Sequence, residues 1–272
     1  MASKKLPVEF LYQVASLIIA IIVVHAVYVT LVRPRADRIL AEQTSLMEAD
    51  PDYVQERSVW VIVRDFEQEA CFILMFWAIA IMGAKTVDLV REGRLLDEEL
   101  VPLGQGIKIL PEDAREYARQ IEALPPGEQH NLVARALLSA LNRFGATRSI
   151  QDASETARDV CETEADRLES ELAMVRYIAW AIPSIGFIGT VRGIGEALGK
   201  AHQAVEGQIA GVTQSLGVAF NSTFIALLIS IVLMFLLQQL QLQQERLVLD
   251  TETYLDTRLV RHLRVGSSSE GE

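Results

Sequence analysis

Two cysteines and four histidines are all the soft metal-ligating chemistry in 272 residues. Cys71 stands beside an apolar run and Cys161 in a charged stretch, with neither metal-ligand nor disulfide-framework spacing, so both read as packing residues. Basic surface is equally scarce: 25 Lys and Arg against 36 Asp and Glu leave a net charge of −11, which removes nucleic acid as a partner. No nucleophile–base pair or phosphate loop appears, and the glycines at 186–199 follow no strand, so a dinucleotide fingerprint is absent and an enzyme is the weakest reading. Charge itself is sparse, at 22% of residues, while half the chain is hydrophobic and the mean hydropathy is positive. That balance points to a membrane protein.

Four apolar runs are long enough to cross a hydrocarbon core. The first is "FLYQVASLIIAIIVVHAVYVTLV" at residues 10–32, preceded by Lys4 and Lys5. Its length and the lack of an A-x-A site before Arg33 mark a retained span rather than a signal peptide. The second, at 71–90, is strictly apolar only from Cys71 to Ala84, but Lys85 can snorkel and Val87, Leu89 and Val90 extend the pattern. The third, "YIAWAIPSIGFIGTVRGIGEAL" at 177–198, and the fourth, "LGVAFNSTFIALLISIVLMFLL" at 216–237, are separated by about 17 residues and form an antiparallel hairpin.

Orientation follows from the basic residues. Twelve Lys and Arg lie between Lys85 and Arg176, against five in residues 33–70, so the longer loop and both termini are expected in the cytoplasm. Arg33, Arg35 and Arg38 oppose this assignment, and the charges after the second and fourth spans outvote them. The expected organisation is 1–32, N-terminus and first span; 33–70, a periplasmic segment of short helical pieces broken by Pro51; 71–90, second span; 91–176, a cytoplasmic helical region; 177–237, the hairpin; and 238–272, a cytoplasmic helix ending in the disordered tail "GSSSEGE".

The cytoplasmic loop reads as three helices: one beginning near Pro111, one at 128–145, and one capped by Ser149 with Asp152 three residues on. In the last, Ile150, Ala153, Ala157, Val160, Leu168, Leu172 and Val175 keep a three-to-four spacing into the third span. After the fourth span, Leu240, Leu247, Tyr254 or Leu255, and Leu259 do the same. These amphipathic helices pair with each other, with neighbouring copies, or with a cytoplasmic partner.

The hairpin carries a polar line. Gly186, Gly189, Gly193, Gly195 and Gly199 contain two G-x-x-x-G spacings, 189/193 and 195/199, which permit close backbone approach. At about 1.5 Å per residue, Thr190 and Thr223 lie at matching depth on antiparallel helices, roughly 10–12 Å below the outer surface. Asn221 and Ser222 adjoin Thr223. Such hydroxyls either bond back to carbonyls one turn earlier or line a polar path that orders water and passes a proton. No Asp or Glu stands mid-span to carry that proton, so a conducting site needs a carboxylate from another chain. His25, the only central titratable group, reads as a hydrogen-bonded packing residue, with a proton relay as the alternative. Arg192, Glu196 and Lys200 form an i,i+4 ladder that is either self-satisfied or the rim of an ion vestibule, and Pro183 loosens the helix around Ala179.

"IPSIGFIGTVRGIGEAL" and "AFNSTFIALLISIVLMFLL" resemble the paired pore helices of the MotA/TolQ/ExbB proton-channel family. "GFIGTVRGI" is similar to its G-L-x-G-T-V-x-G-I run, and "STFIALLIS" to its threonine-bearing last helix, over roughly residues 176–240. The resemblance implies an all-α membrane protein that assembles as a pentamer around the single-span helices of a partner similar to MotB, TolR or ExbD. It implies that the partner's membrane aspartate takes the proton, that Thr190 and Thr223 line the channel, and that Pro183 occupies the place of the MotA-type proline. The implied function is an ion-driven motor subunit of the bacterial inner membrane, coupling ion flow to mechanical work in the envelope. It needs no cofactor and transports H⁺, with Na⁺ as the alternative.

Arg192 stands where the family has an apolar residue. Four spans with inside termini resemble MotA, whereas "GTV" leans toward TolQ and ExbB. Arg91, Glu92, Arg94, Glu98 and Glu99 fall where MotA-like stators contact a rotor, or form a solvated charge run. The rival from another class is a non-conducting scaffold that packs through its glycines and recruits proteins with its cytoplasmic helices.

Overall fold

The computed structural model describes residues 8–49, 58–96, 108–205 and 209–265. The expected break at Pro51, the charges Glu98 and Glu99 and the tail at 266–272 lie outside the described residues. Regular structure among the described residues is helical, and four helices are long and apolar enough to cross a membrane. The chain divides into two units: Met1–Gly83 with Met174–Leu237, and Ala84–Ala173 with Gln238–Glu272.

In the first unit, α1 (Val8–Val27) passes through a π-turn (Tyr28–Val32) into α2 (Arg33–Ala49). Residues 33–49 are therefore a continuation of the first span and not the short pieces expected from the sequence. Pro34 explains how: its ring has no N–H and crowds the carbonyl of Thr30 four residues back, which breaks a regular α register. The wider turn absorbs that conflict, with Arg33 N–H reaching back five residues to the Tyr28 carbonyl. Val24, Tyr28 and Val32 then bury one face against Trp60, Val63, Phe72 and Ile73. One helical turn, α3 (Val59–Ile62), precedes α4 (Phe66–Leu96), whose first turn carries Glu67 and Glu69 where acids favour a helix N-terminus. The 14-residue apolar stretch from Cys71 to Ala84 is thus the centre of a 31-residue helix.

The second unit contains α5 (Ala114–Glu122), α6 (Leu132–Thr147) and α7 (Ile150–Glu171), the three expected helices. Ser149 caps α7 by accepting the Asp152 N–H at 3.2 Å, as the spacing requires. The hairpin of the first unit is α8 (Ala173–Gly199) and α10 (Ala210–Arg258), joined through the short α9 (Ala201–Val205). Leu172 alone separates α7 from α8, and α10 runs without interruption through the fourth span and the following amphipathic stretch.

The core of the second unit is built from the periodic residues of α5, α6 and α7 together with Val248, Leu255 and Leu259 of α10, so these amphipathic faces bury one another. The chain end is tied in by a parallel bridge between Ile109 and Leu263, with Ile109 N–H donating to the His262 carbonyl at 2.9 Å. Cys161 is wholly buried, as a packing residue should be, and Glu164 beside it on α7 is 1% exposed. Its carboxylate receives Arg135 at 2.9 Å and the Arg167 Nε at 3.0 Å, which compensates its desolvation. Arg91 and Arg94 are exposed, but Glu92 is half-buried with one carboxylate oxygen enclosed, so the charges after the second span are not a uniformly solvated run.

Candidate functional site

Small residues set the α8–α10 seam. On α10, Ser215, Ala219, Ser222 and Ala226 recur at intervals of four, three and four, all buried. They face Gly193, Gly189 and Gly186 of α8. A Cβ on Gly193 would lie 2.6 Å from the Ala219 nitrogen and 2.7 Å from the Ser215 carbonyl oxygen, while one on Gly186 would overlap the Ala226 methyl and one on Gly189 the Ser222 side chain. Backbone meets backbone at Gly193, while at Gly186 and Gly189 the Ala226 methyl and the Ser222 side chain fill the space a Cβ would need. Gly195 and Gly199 have open space at the Cβ position, so the 195/199 spacing, expected to mark close approach, takes no part in this seam.

Close approach brings Thr190 and Thr223 into a direct hydroxyl–hydroxyl hydrogen bond, both side chains half-buried. Thr190 Oγ1 is also 3.1 Å from the Ala219 carbonyl oxygen, and Thr223 Oγ1 is 3.0 Å from that of Gly186. Thr190 Oγ1 lies in addition 3.4 Å from the Gly186 carbonyl oxygen one turn earlier, and since each hydroxyl has one proton, the shortest contacts allow two opposite polarities. In one, Thr223 donates to Thr190, which donates to Ala219. In the other, Thr190 donates to Thr223, which donates to Gly186. Concerted rotation interconverts them, so the pair can hold either hydrogen-bond polarity while both oxygens stay uncharged.

The neighbouring polar residues separate by function of angle. Successive residues on a helix advance by about 100°, so Asn221 and Thr223 point in nearly opposite directions. Asn221 lines a cavity of about 450 Å³ with Gln43, Ser58, Asp65 and Gln214, away from the hydroxyl pair. Ser222 is 1% exposed, packs on Gly189 and donates to the Ala219 carbonyl at 3.0 Å, the back-bonded arrangement. Of the four polar residues considered for an ion path, the fold joins Thr190 with Thr223 and sets Asn221 apart.

Arg192 also lies two residues from Thr190, on the far side of α8, where Glu67 receives it through two bonds of 2.7 and 2.8 Å and Glu196 through a third of 3.0 Å. The ladder is thus extended by a carboxylate from α4, while Lys200 donates to Ser215 at 2.9 Å. Glu69, two residues further along α4, accepts from Arg33 and lies 2.7 Å from His25 Nδ1. His25 is thus hydrogen-bonded, as expected, but its side chain is exposed rather than packed. Arg33 further stacks over Phe66 at 4.5 Å, and Arg35 over Trp60 at 4.6 Å. Asp65, just before α4, sits among Arg64, Arg192, Glu67 and Glu196, and burial raises its carboxyl above the ordinary aspartate value.

Glu67 and Glu69 are the residues that sequence reasoning missed. Their signal was present: Arg33 follows the first span, Arg192 lies in the last turns of the third, and the acidic "EQEA" leads into the second, so the three meet at one end of the antiparallel helices. Pro183 stays within a continuous α8. The Ala179 carbonyl, which loses its normal partner at Pro183, instead accepts from Ser230 Oγ of α10 at 3.1 Å.

Residues 128–253 match the MotA/TolQ/ExbB proton channel family, the family that the hairpin resembles. The match covers α6 to most of α10, so it takes in α6 and α7 as well as the seam. Among curated proteins none matches the chain.

Proposed function

We propose that this chain is the channel-forming subunit of an ion-driven complex in the bacterial inner membrane. Five copies surround the single-span helices of a partner similar to MotB, TolR or ExbD, and both termini face the cytoplasm. Protons reach the partner's membrane aspartate past Thr190 and Thr223. Neutralising that aspartate changes which face the partner presents to the ring, and directional ion flow thereby turns one against the other. No cofactor is required. H⁺ suits a hydroxyl relay better than Na⁺, which needs several oxygen ligands, whereas these two hydroxyls are engaged with each other and with carbonyls.

The observation that carries this reading is the Thr190–Thr223 hydrogen bond across the glycine seam, inside the region that matches the proton channel family. Glu67 and Glu69 are not candidates for the carrier, since both are paired to arginines. The test is a Thr190→Val, Thr223→Val double variant, isosteric and without either hydroxyl. It is expected to abolish ion-dependent work and proton uptake while the chain still co-purifies with its partner. Full activity in that variant overturns the proposal and leaves the scaffold reading.

A further inference from the structure

The geometry assigns Ser230 as a positioning residue: its hydroxyl latches the proline-weakened turn of α8 to α10. This rests on the reading of α8 and α10 as the conducting hairpin.

Pro183 removes the N–H that would bond the Ala179 carbonyl, and Ala179 is 2% exposed. A buried carbonyl within an apolar span cannot turn to water, so it takes another donor or carries an unmet desolvation cost. Ser230 supplies that donor at 3.1 Å. The adjoining carbonyls are also engaged from side chains: Trp180 accepts from Ser184 at 3.1 Å, and Ile182 faces the Cys71 thiol at 3.8 Å. The register is that of the hydroxyl pair. Pro183 precedes Thr190 by seven residues and Ser230 follows Thr223 by seven, so two turns along each helix the latch lies on the same seam.

The consequence is mechanical. Without a latch, the turn around Ala179 is a free hinge, and bending of α8 is not transmitted to α10. With it, the two helices turn together at the hinge while Gly186, Gly189 and Gly193 keep them in contact above it. Ser230 therefore couples what happens at the hydroxyl pair to movement of both helices, without touching the ion.

Trp180 follows Ala179 in the sequence's sole Ala-Trp pair, so combined carbonyl-¹³C alanine and ¹⁵N tryptophan labels isolate this one carbonyl for solid-state NMR of the full chain in bilayers. Ser230→Ala is expected to move the resonance upfield, as for a carbonyl losing its donor, and Ser230→Thr to leave it in place. In a Pro183→Ala background, which restores the backbone N–H, Ser230→Ala is expected to have no effect. Proton uptake by membrane vesicles from cells producing the full-length variants should fall in parallel. Loss of one hydrogen bond corresponds to roughly a threefold to tenfold change, with rescue by Ser230→Thr and no additional loss from Ser230→Ala once Pro183 is replaced.

An unmoved resonance in Ser230→Ala overturns the latch. A moved resonance with unchanged uptake, where the double threonine variant has lost uptake, overturns its positioning role alone. Uptake retained in the double threonine variant overturns the channel reading, and with it the positioning role.

Discussion

Arg192 occupies a membrane helix because Glu67 meets it with two hydrogen bonds and Glu196 with a third. Three of the five guanidinium N–H groups are met in this way, which lowers the cost of placing it in a span. Glu67 is the more dependent partner, its side chain 11% exposed against 38% for Arg192. Arg192→Ala should therefore lower stability by about 2 kcal/mol, chiefly by leaving the Glu67 carboxylate unpaired, and Glu67→Gln should cost less. In the double variant the losses should be less than additive. Thermal unfolding of the purified chain in detergent measures all three, and simple additivity would deny the pairing. Asn221, Thr223 and Ser222 show the limit of sequence at this scale: three polar neighbours are legible as a cluster, yet one helical turn sends them to a cavity, a hydroxyl pair and a glycine contact.

Helices α8 and α10 are joined by shape as much as by polarity. Glycines on one helix meet Ala and Ser on the other, and any larger group forces the backbones apart. Gly193→Leu should destabilise the hairpin by about 1–3 kcal/mol, the usual range for overpacking. Gly195→Leu, with open space at the same helix, should leave stability unchanged. Comparing melting temperatures of the two variants checks this, and equal losses would mean that the seam is not where the backbone places it. The sequence announced close packing through its G-x-x-x-G spacings, but both spacings looked alike. Which one is used depends on the rotation of α8 about its axis, and that rotation is set by Ser215, Ala219, Ser222 and Ala226 on the other strand of the hairpin. The π-turn at Tyr28–Val32 was illegible for a related reason: Pro34 reads as a helix breaker, and only the alternative register of the preceding turn lets the helix continue.

For the whole chain, the distribution of Lys and Arg sets the direction of insertion, and the depth match of the threonines is counted from that direction. A cysteine at Glu42, exposed on α2, should react with a membrane-impermeant maleimide added from the periplasmic side. One at Arg143, exposed on α6, should react only after the inner membrane is opened. Native Cys71 and Cys161 are both wholly buried and contribute little background. Reversed labelling would invert the topology and place the hydroxyl pair near the opposite face. The same scale carries the missing charge: among the described residues Glu67 and Glu69 are both paired to arginines, which is why the channel proposed above takes its acid from a partner.

The sequence by itself determined the membrane class, the four spans, the three helices of the second unit and the equal depth of Thr190 and Thr223, because hydropathy and helical period act locally and need no knowledge of neighbours. Tertiary structure decided which glycines bear on another helix, that Glu67 neutralises Arg192, that Asn221 leaves the hydroxyl pair, and that Ser230 serves the carbonyl orphaned by Pro183. Each of those depends on helix rotation about its own axis and on contacts between residues far apart in the chain, and a linear pattern holds no record of either.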